Sequence, residues 1–121
     1  MCTVSWDIGA NGYEVFFNRD EKRSRRQAEP PRATHVRNVR VLAPRDGEAG
    51  GTWLGVNERG VTVGLLNDYS SVGVGIVEGG LLSRGLLTLD LLDAPTATQA
   101  LARVTPAHAK RFRPFTLLIF G

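Results

Sequence analysis

Lysine is nearly absent from this chain: of 15 basic side chains, only Lys22 and Lys110 are not arginine. There is one cysteine, which excludes an intramolecular disulfide, and with the two histidines it falls short of a structural zinc site. No apolar run approaches the roughly 20 residues that a membrane-spanning helix needs. The start, Met1-Cys2-Thr3-Val4-Ser5-Trp6, has no basic stretch leading into an apolar one. No secretory signal is read there, and a soluble, reducing, cytoplasmic setting is expected. Charge of one sign is scarce too, since 15 Lys+Arg stand against 12 Asp+Glu for a net +3. That balance excludes a histone-like polycation. What remains is a globular composition, 42% hydrophobic and 22% charged, and 121 residues suit a single domain, 1-121.

Thr3 to Ile8 alternates polar and apolar residues, as a half-buried strand does. Gly9-Ala10-Asn11-Gly12 carries turn chemistry, since Asn-Gly tolerates positive φ and closes hairpins, and Tyr13 to Phe17 is a second strand. Residues 22 to 51 differ: they hold three of the six prolines and eight cations against three anions. This stretch is expected to be a long loop with one short strand around Val36, Val39, Val41 and Leu42. Trp53 to Asn57 and Val61 to Asn67 form a hairpin about Glu58-Arg59-Gly60. Asp68 to Gly80 reads as a loop. Ser83 is placed to cap a helix carrying Leu86, Leu87, Leu89, Leu91 and Leu92. Pro95 suits the first turn of a helix over Ala97 to Val104, and Thr105-Pro106 opens another over Ala107 to Arg111. Phe115 to Phe120 is a buried-strand pattern. Strands first and helices later point to an α+β fold with mainly antiparallel sheets. Gly121 follows that apolar strand directly, so a longer chain, a second copy or a second chain is expected to complete the sheet.

Three places carry chemistry. Removal of Met1 would make Cys2 the N-terminal residue, with a thiol and an α-amine on one residue. An α-amine titrates at about 7.7–8.0, so it can take the thiol proton without a histidine. The plainer alternative is a small apolar cysteine that falls second by accident. Asn18-Arg19-Asp20-Glu21 leaves the end of a strand, where Arg19 would favour a thiolate and Asp20 would orient an ammonium or a substrate amine. A solvated charged turn is the alternative. Asn67 ends its strand, and its amide can donate to an oxyanion or simply form a turn.

Met1-Cys2-Thr3, Asn18 to Glu21, the 11-residue run Gly50-Gly51-Thr52-Trp53-Leu54-Gly55-Val56-Asn57-Glu58-Arg59-Gly60, and Arg113-Pro114-Phe115 with Leu117-Leu118 resemble the NRDE family. That family is also called the transport and Golgi organisation protein 2 family. The resemblance implies similarity to N-terminal-nucleophile cysteine hydrolases, whose fold is an α-β-β-α sandwich, with this chain as its N-terminal part. It implies Cys2 as nucleophile on a non-peptide C–N amide of a small molecule, with Arg19, Asp20 and Asn67 as further catalytic residues. Asn18, Glu21 and Asn57 are the remaining motif positions. The order Asn-Arg-Asp-Glu departs from the hydrolases' Arg-Asn-x-Asp. Family members are about twice this length, so the chain is expected to be half of a longer family domain. The family also implies a second role, non-catalytic, in haem mobilisation or secretory organisation.

Hydrolysis calls for no cofactor and no metal; in the second role haem is the ligand, with Cys2, His35 or His108 as contacts. The arginines argue weakly for nucleic acid, because no aromatic residue lies among residues 22 to 51 to stack on bases. A solvated loop beside the site entrance, suited to a carboxylate- or phosphate-bearing ligand, is the better reading of them.

Overall fold

The computed structural model describes residues 2–20, 23–68 and 81–121. Strands β1 (Thr3–Gly9) and β2 (Gly12–Asn18) form an antiparallel hairpin in full register, from Thr3 opposite Asn18 to Gly9 opposite Gly12. Ala10 and Asn11 make its turn, within the expected segment Gly9 to Gly12. The remaining strands are β3 (Glu29–Val36), β4 (Val39–Arg45), β5 (Leu54–Asn57), β6 (Thr62–Asn67) and β7 (Phe115–Phe120). They form one antiparallel sheet in chain order, β3-β4-β5-β6-β7. Among the described residues between β6 and β7 lie three short helices, α1 (Arg84–Leu91), α2 (Ala97–Ala102) and α3 (Pro106–Ala109). The fold is α+β with antiparallel sheets. The expected loop of residues 68 to 80 lies, beyond Asp68, outside the described residues.

The expected long loop at 22–51 is corrected by the structure, because residues 29–45 form the β3–β4 hairpin. Its two turn residues, Arg37 and Asn38, have φ of 44° and 72°, the left-handed pair of a two-residue hairpin turn. Asparagine tolerates that region, but arginine does not favour it. Arg37 is held there by bonds reaching α1 and its C-terminal turn: Nε donates to Asp93 Oδ2 at 2.7 Å, and Nη2 to Asp90 O and Oδ1 at 2.7 and 2.8 Å. Pro30 and Pro31 sit where the register shifts, on an edge strand that can spare their missing N–H groups.

Strand alternation divides the sheet's two faces. Val41 and Ala43 on β4, and Val63 and Leu65 on β6, join Leu87, Leu91, Leu92 and Phe112 in the buried core beneath the helices. Burying each of these leucines is worth about 1.5–3 kcal/mol relative to exposure. On the opposite face Phe17 lies over Gly64, and the Tyr13 hydroxyl donates to Gly60 O at 2.6 Å and meets Thr62 Oγ1 at 2.8 Å. The Tyr13 and Trp6 rings pack on Phe120 at 5.5 and 5.7 Å. The β1–β2 hairpin therefore covers β6 and β7 on the side away from the helices.

Helix starts differ slightly from expectation. Ser83 is the N-cap of α1, but its hydroxyl makes no capping bond. Thr96, not Pro95, opens α2, its Oγ1 accepting from Gln99 N at 3.1 Å, and α2 stops at Ala102. Thr105 caps α3, with Pro106 in the first turn as expected.

Asp93 ties three segments together. Its carboxylate accepts from Arg37 Nε and from Arg103 Nη1, while its backbone carbonyl accepts from Arg59. The hydrogen bond from Arg37, opposed by burial and aided by Arg103, lowers its pKa from 3.8 to about 2. A depressed carboxyl pKa adds stability that is present above the unfolded value and lost as pH falls through the folded one. Wild-type stability should therefore fall between about pH 4 and pH 2 in a part that Asp93→Asn lacks, as chemical denaturation along a pH series would show. Parallel curves for the two proteins would contradict this.

Candidate functional site

The site is built at the open end of the β1–β2 hairpin. Thr3 pairs with Asn18, so Cys2 and Arg19 are the residues next beyond the last rung of the ladder. Cys2 is a free thiol and partly buried. Val4 and Phe17 on the next rung belong to the covered face, so the same alternation brings Cys2 and Arg19 to the side of the large sheet.

Arg19 lies flat against an aromatic neighbour: its guanidinium carbon is 4.0 Å from the centre of the Trp53 ring. Trp53 immediately precedes β5, and its carbonyl accepts from Leu65 N at 2.9 Å. The end of β2, the start of β5 and the second half of β6 thus fall together. Asp20 follows Arg19 and is exposed. Asn67 is the last residue of β6, opposite Phe115, and is also exposed. By alternation Asn67 belongs to the face of Val63 and Leu65, whereas Gly64 and Leu66 belong to that of Phe17. That face packs on the helices, away from the side that the β1–β2 hairpin covers, so Asn67 and Cys2 are not brought to one face as an oxyanion role requires.

Beside Arg19 runs an open groove of about 570 Å³, lined by Arg19, Asp20, Arg23, Arg25, Arg26 and Trp53 among others. Its wall, residues 23–28, is strapped to the loop that follows β4. Arg25 pairs with Asp46, and with Glu48 at 3.4 Å, while Arg26 N donates to Glu48 Oε1 at 3.0 Å. Burial works to raise the Asp46 carboxyl. The Glu48 N–H, Arg25 and the charge of Arg19 outweigh it and hold the group below its usual range. The groove presents arginine forks beside a flat aromatic ring, a setting for planar or phosphate-like anions.

Asn57, expected as a motif position, lies elsewhere and has a structural role. It is buried, with Nδ2 donating to Leu92 O at 3.0 Å and Ala94 O at 2.8 Å. Its Oδ1 accepts from Arg59 N at 2.9 Å and Val61 N at 3.0 Å. Most of the run from Gly50 to Gly60 serves the scaffold in the same way. Gly50 and Gly60 take φ of +75° and +82°, and Gly51 lies against the backbone of Gly85. Glu21 falls outside the described residues. His35 sits on β3 opposite Arg40, and His108 on α3 in a T-shaped contact with Phe112. Among the described residues no group of three His, Cys, Asp or Glu side chains could hold a metal ion. No helix of the described residues is long and apolar enough to cross a membrane.

Residue-by-residue reasoning missed Trp53 as part of the site. The available signal was a tryptophan inside a glycine-rich run, directly before a strand. Among comparisons with known proteins, the family model described as Transport and Golgi organisation 2 matches residues 1–121. No curated protein matches the chain.

Proposed function

The chain belongs to the Transport and Golgi organisation 2 family, and on that premise we propose that its groove binds a small anionic molecule and presents a carbonyl to Cys2. What supports this reading is the end of the β1–β2 ladder at Thr3 and Asn18, the chain neighbours of Cys2 and Arg19, together with Arg19 lining an arginine-rich groove. In the catalytic form Met1 is removed, and the exposed α-amine takes the Cys2 proton. Sulfur attacks the amide carbon, and a backbone N–H donates to the oxyanion. The intermediate collapses with proton transfer from the α-ammonium to the leaving nitrogen, giving an amine and a thioester. Water then attacks the thioester and releases the acid and the thiol. Arg19 and Asp20 orient the substrate's charged ends. The sandwich fold of the N-terminal-nucleophile hydrolases, with this chain as its first part, is the architecture this reading requires.

A second reading is favoured by the family's description, which concerns transport and not hydrolysis. The same groove would then serve a carrier, with its arginines meeting the carboxylates of a ligand such as haem.

Two measurements separate these. Purified protein should lack Met1, and its Cys2 should alkylate faster than free cysteine near pH 7, both read by intact mass. Quantitative retention of Met1 in cells would sink the self-activating mechanism. A panel of N-acyl amides should be cleaved by wild type and not by Cys2→Ala. Cleavage that survives Cys2→Ala would refute the nucleophile. Absence of cleavage together with tight haem binding dependent on Cys2, His35 or His108 would establish the carrier.

A further inference from the structure

We propose that the arginine-lined groove is a phosphate site, in which Arg23 and Arg26 hold the anion while Arg25 is a strut of the wall. This deepens the reading of the groove as a place for a small anionic molecule, and rests on it. The lining sets four arginines against one acidic residue, Asp20, and the circumstances of the arginines differ. Arg25 pairs with Asp46, and with Glu48 at 3.4 Å, so its charge is matched within the protein and ties the wall to the loop after β4. Arg19 lies on the Trp53 ring. Arg23 and Arg26 are exposed, and among the described residues neither guanidinium has a carboxylate partner.

An arginine on a solvated turn ordinarily has no fixed direction, and ordering it on a ligand costs affinity. The stem of Arg26 is set in advance. Its backbone N–H donates to Glu48 Oε1 at 3.0 Å, and its Cγ and Cδ lie against Gly47, where a Cβ would come within 3.0 and 3.2 Å of them. Glu48 N in turn donates to Asp46 Oδ1 at 3.0 Å. The segment from Asp46 to Glu48 therefore matches the charge of one arginine and seats the stem of the next. Two arginine forks decide the class of anion. A single carboxylate offers two oxygens, which one guanidinium meets side-on. A phosphate monoester offers three terminal oxygens and nearly two negative charges near pH 7, so it can accept from two guanidinium groups at once. Trp53, in the same lining, supplies a flat wall for the organic part of the molecule.

The test titrates the full chain with phenyl phosphate and with benzoate at about pH 7.5, where the first is largely a dianion and the second a monoanion, followed by ligand-observed NMR. Phenyl phosphate should bind more tightly than benzoate. Arg23→Gln and Arg26→Gln should each weaken phenyl phosphate by about fivefold or more, the contact attraction of one unit charge in water, and the double variant by a larger factor. Arg26→Lys keeps the charge and loses the fork, so it should fall between wild type and Arg26→Gln. Arg32→Gln changes the net charge equally at an exposed position that does not line the groove, and should bind as wild type does. Equal weakening by Arg32→Gln would reduce the effect to overall charge and overturn the site. Benzoate binding as tight as that of phenyl phosphate, with both weakened in Arg26→Gln, overturns the phosphate class and leaves the anion groove standing. Undiminished phenyl phosphate binding in the double variant overturns the roles of Arg23 and Arg26. Failure of wild type to bind either probe removes the groove reading itself.

Discussion

Asn57→Ala is expected to destabilise the protein by about 3–5 kcal/mol, lowering its melting temperature by roughly 10–20 °C. The side chain closes four hydrogen bonds in a buried position, two as donor to Leu92 O and Ala94 O and two as acceptor from Arg59 N and Val61 N. Each bond is worth about 0.5–1.5 kcal/mol net, but the larger cost is what truncation leaves behind. Buried carbonyls after α1 and a buried N–H at the start of β6 lose their partners with no water to replace them. Asn57→Asp sharpens the test. Its carboxylate keeps the two acceptor bonds but directs a charged oxygen at two carbonyl oxygens. The folded state then disfavours ionisation, so the deficit should be larger at pH 7 than at pH 4, where the protonated acid can donate. Urea denaturation of the three proteins at both pH values measures this. A loss below about 1 kcal/mol for Asn57→Ala would show that the turn stands without it.

Gly51→Ala should be comparably damaging, by about 3 kcal/mol or more, because its Cβ has no room. Built on the present backbone, that atom would lie 2.4 Å from the carbonyl carbon of Gly85 and 2.8 Å from its Cα. Both are main-chain atoms, so no rotamer change relieves the clash. The start of α1 would have to move, breaking the 3.1 Å bond from Thr52 N to Gly85 O and loosening Leu87 and Leu91 in the core. Gly9→Ala is the control, since a Cβ there meets only Gly12 O at 3.9 Å. It should be nearly neutral in the same thermal melts. Equal melting temperatures for the two variants would show that Gly51 and Gly85 do not need to touch. A loss in both would show that the alanine substitution itself, and not the contact, is responsible.

Both positions belong to the run from Gly50 to Gly60, the most specific part of the family resemblance. Its specificity is explained by geometry more than by catalysis. Gly51 permits a close backbone approach, and a Cβ on Gly55 would strike Leu92 Cδ1 at 2.6 Å. Asn57 joins the β5–β6 turn to the end of α1, and Gly60 supplies a positive φ. Of these residues only Trp53 faces the candidate site.

Local pattern alone determined much of this protein: the first hairpin, the β5–β6 hairpin, the three helix regions and the last strand. In each, the period of apolar residues and the flanking turn or cap residues agree, and such signals act over a few positions. The β3–β4 hairpin was illegible because its prolines and arginines argue for a loop. It forms because Arg37, in a conformation arginine disfavours, is anchored on Asp90 and Asp93, more than 50 positions away. For Asn57 the sequence shows a motif, and only its burial against Leu92 and Ala94 makes it a structural support. For Arg19 the sequence shows a charge near a thiol. The ring beneath it comes from another strand, and only the packing of the first hairpin on the sheet brings the two together.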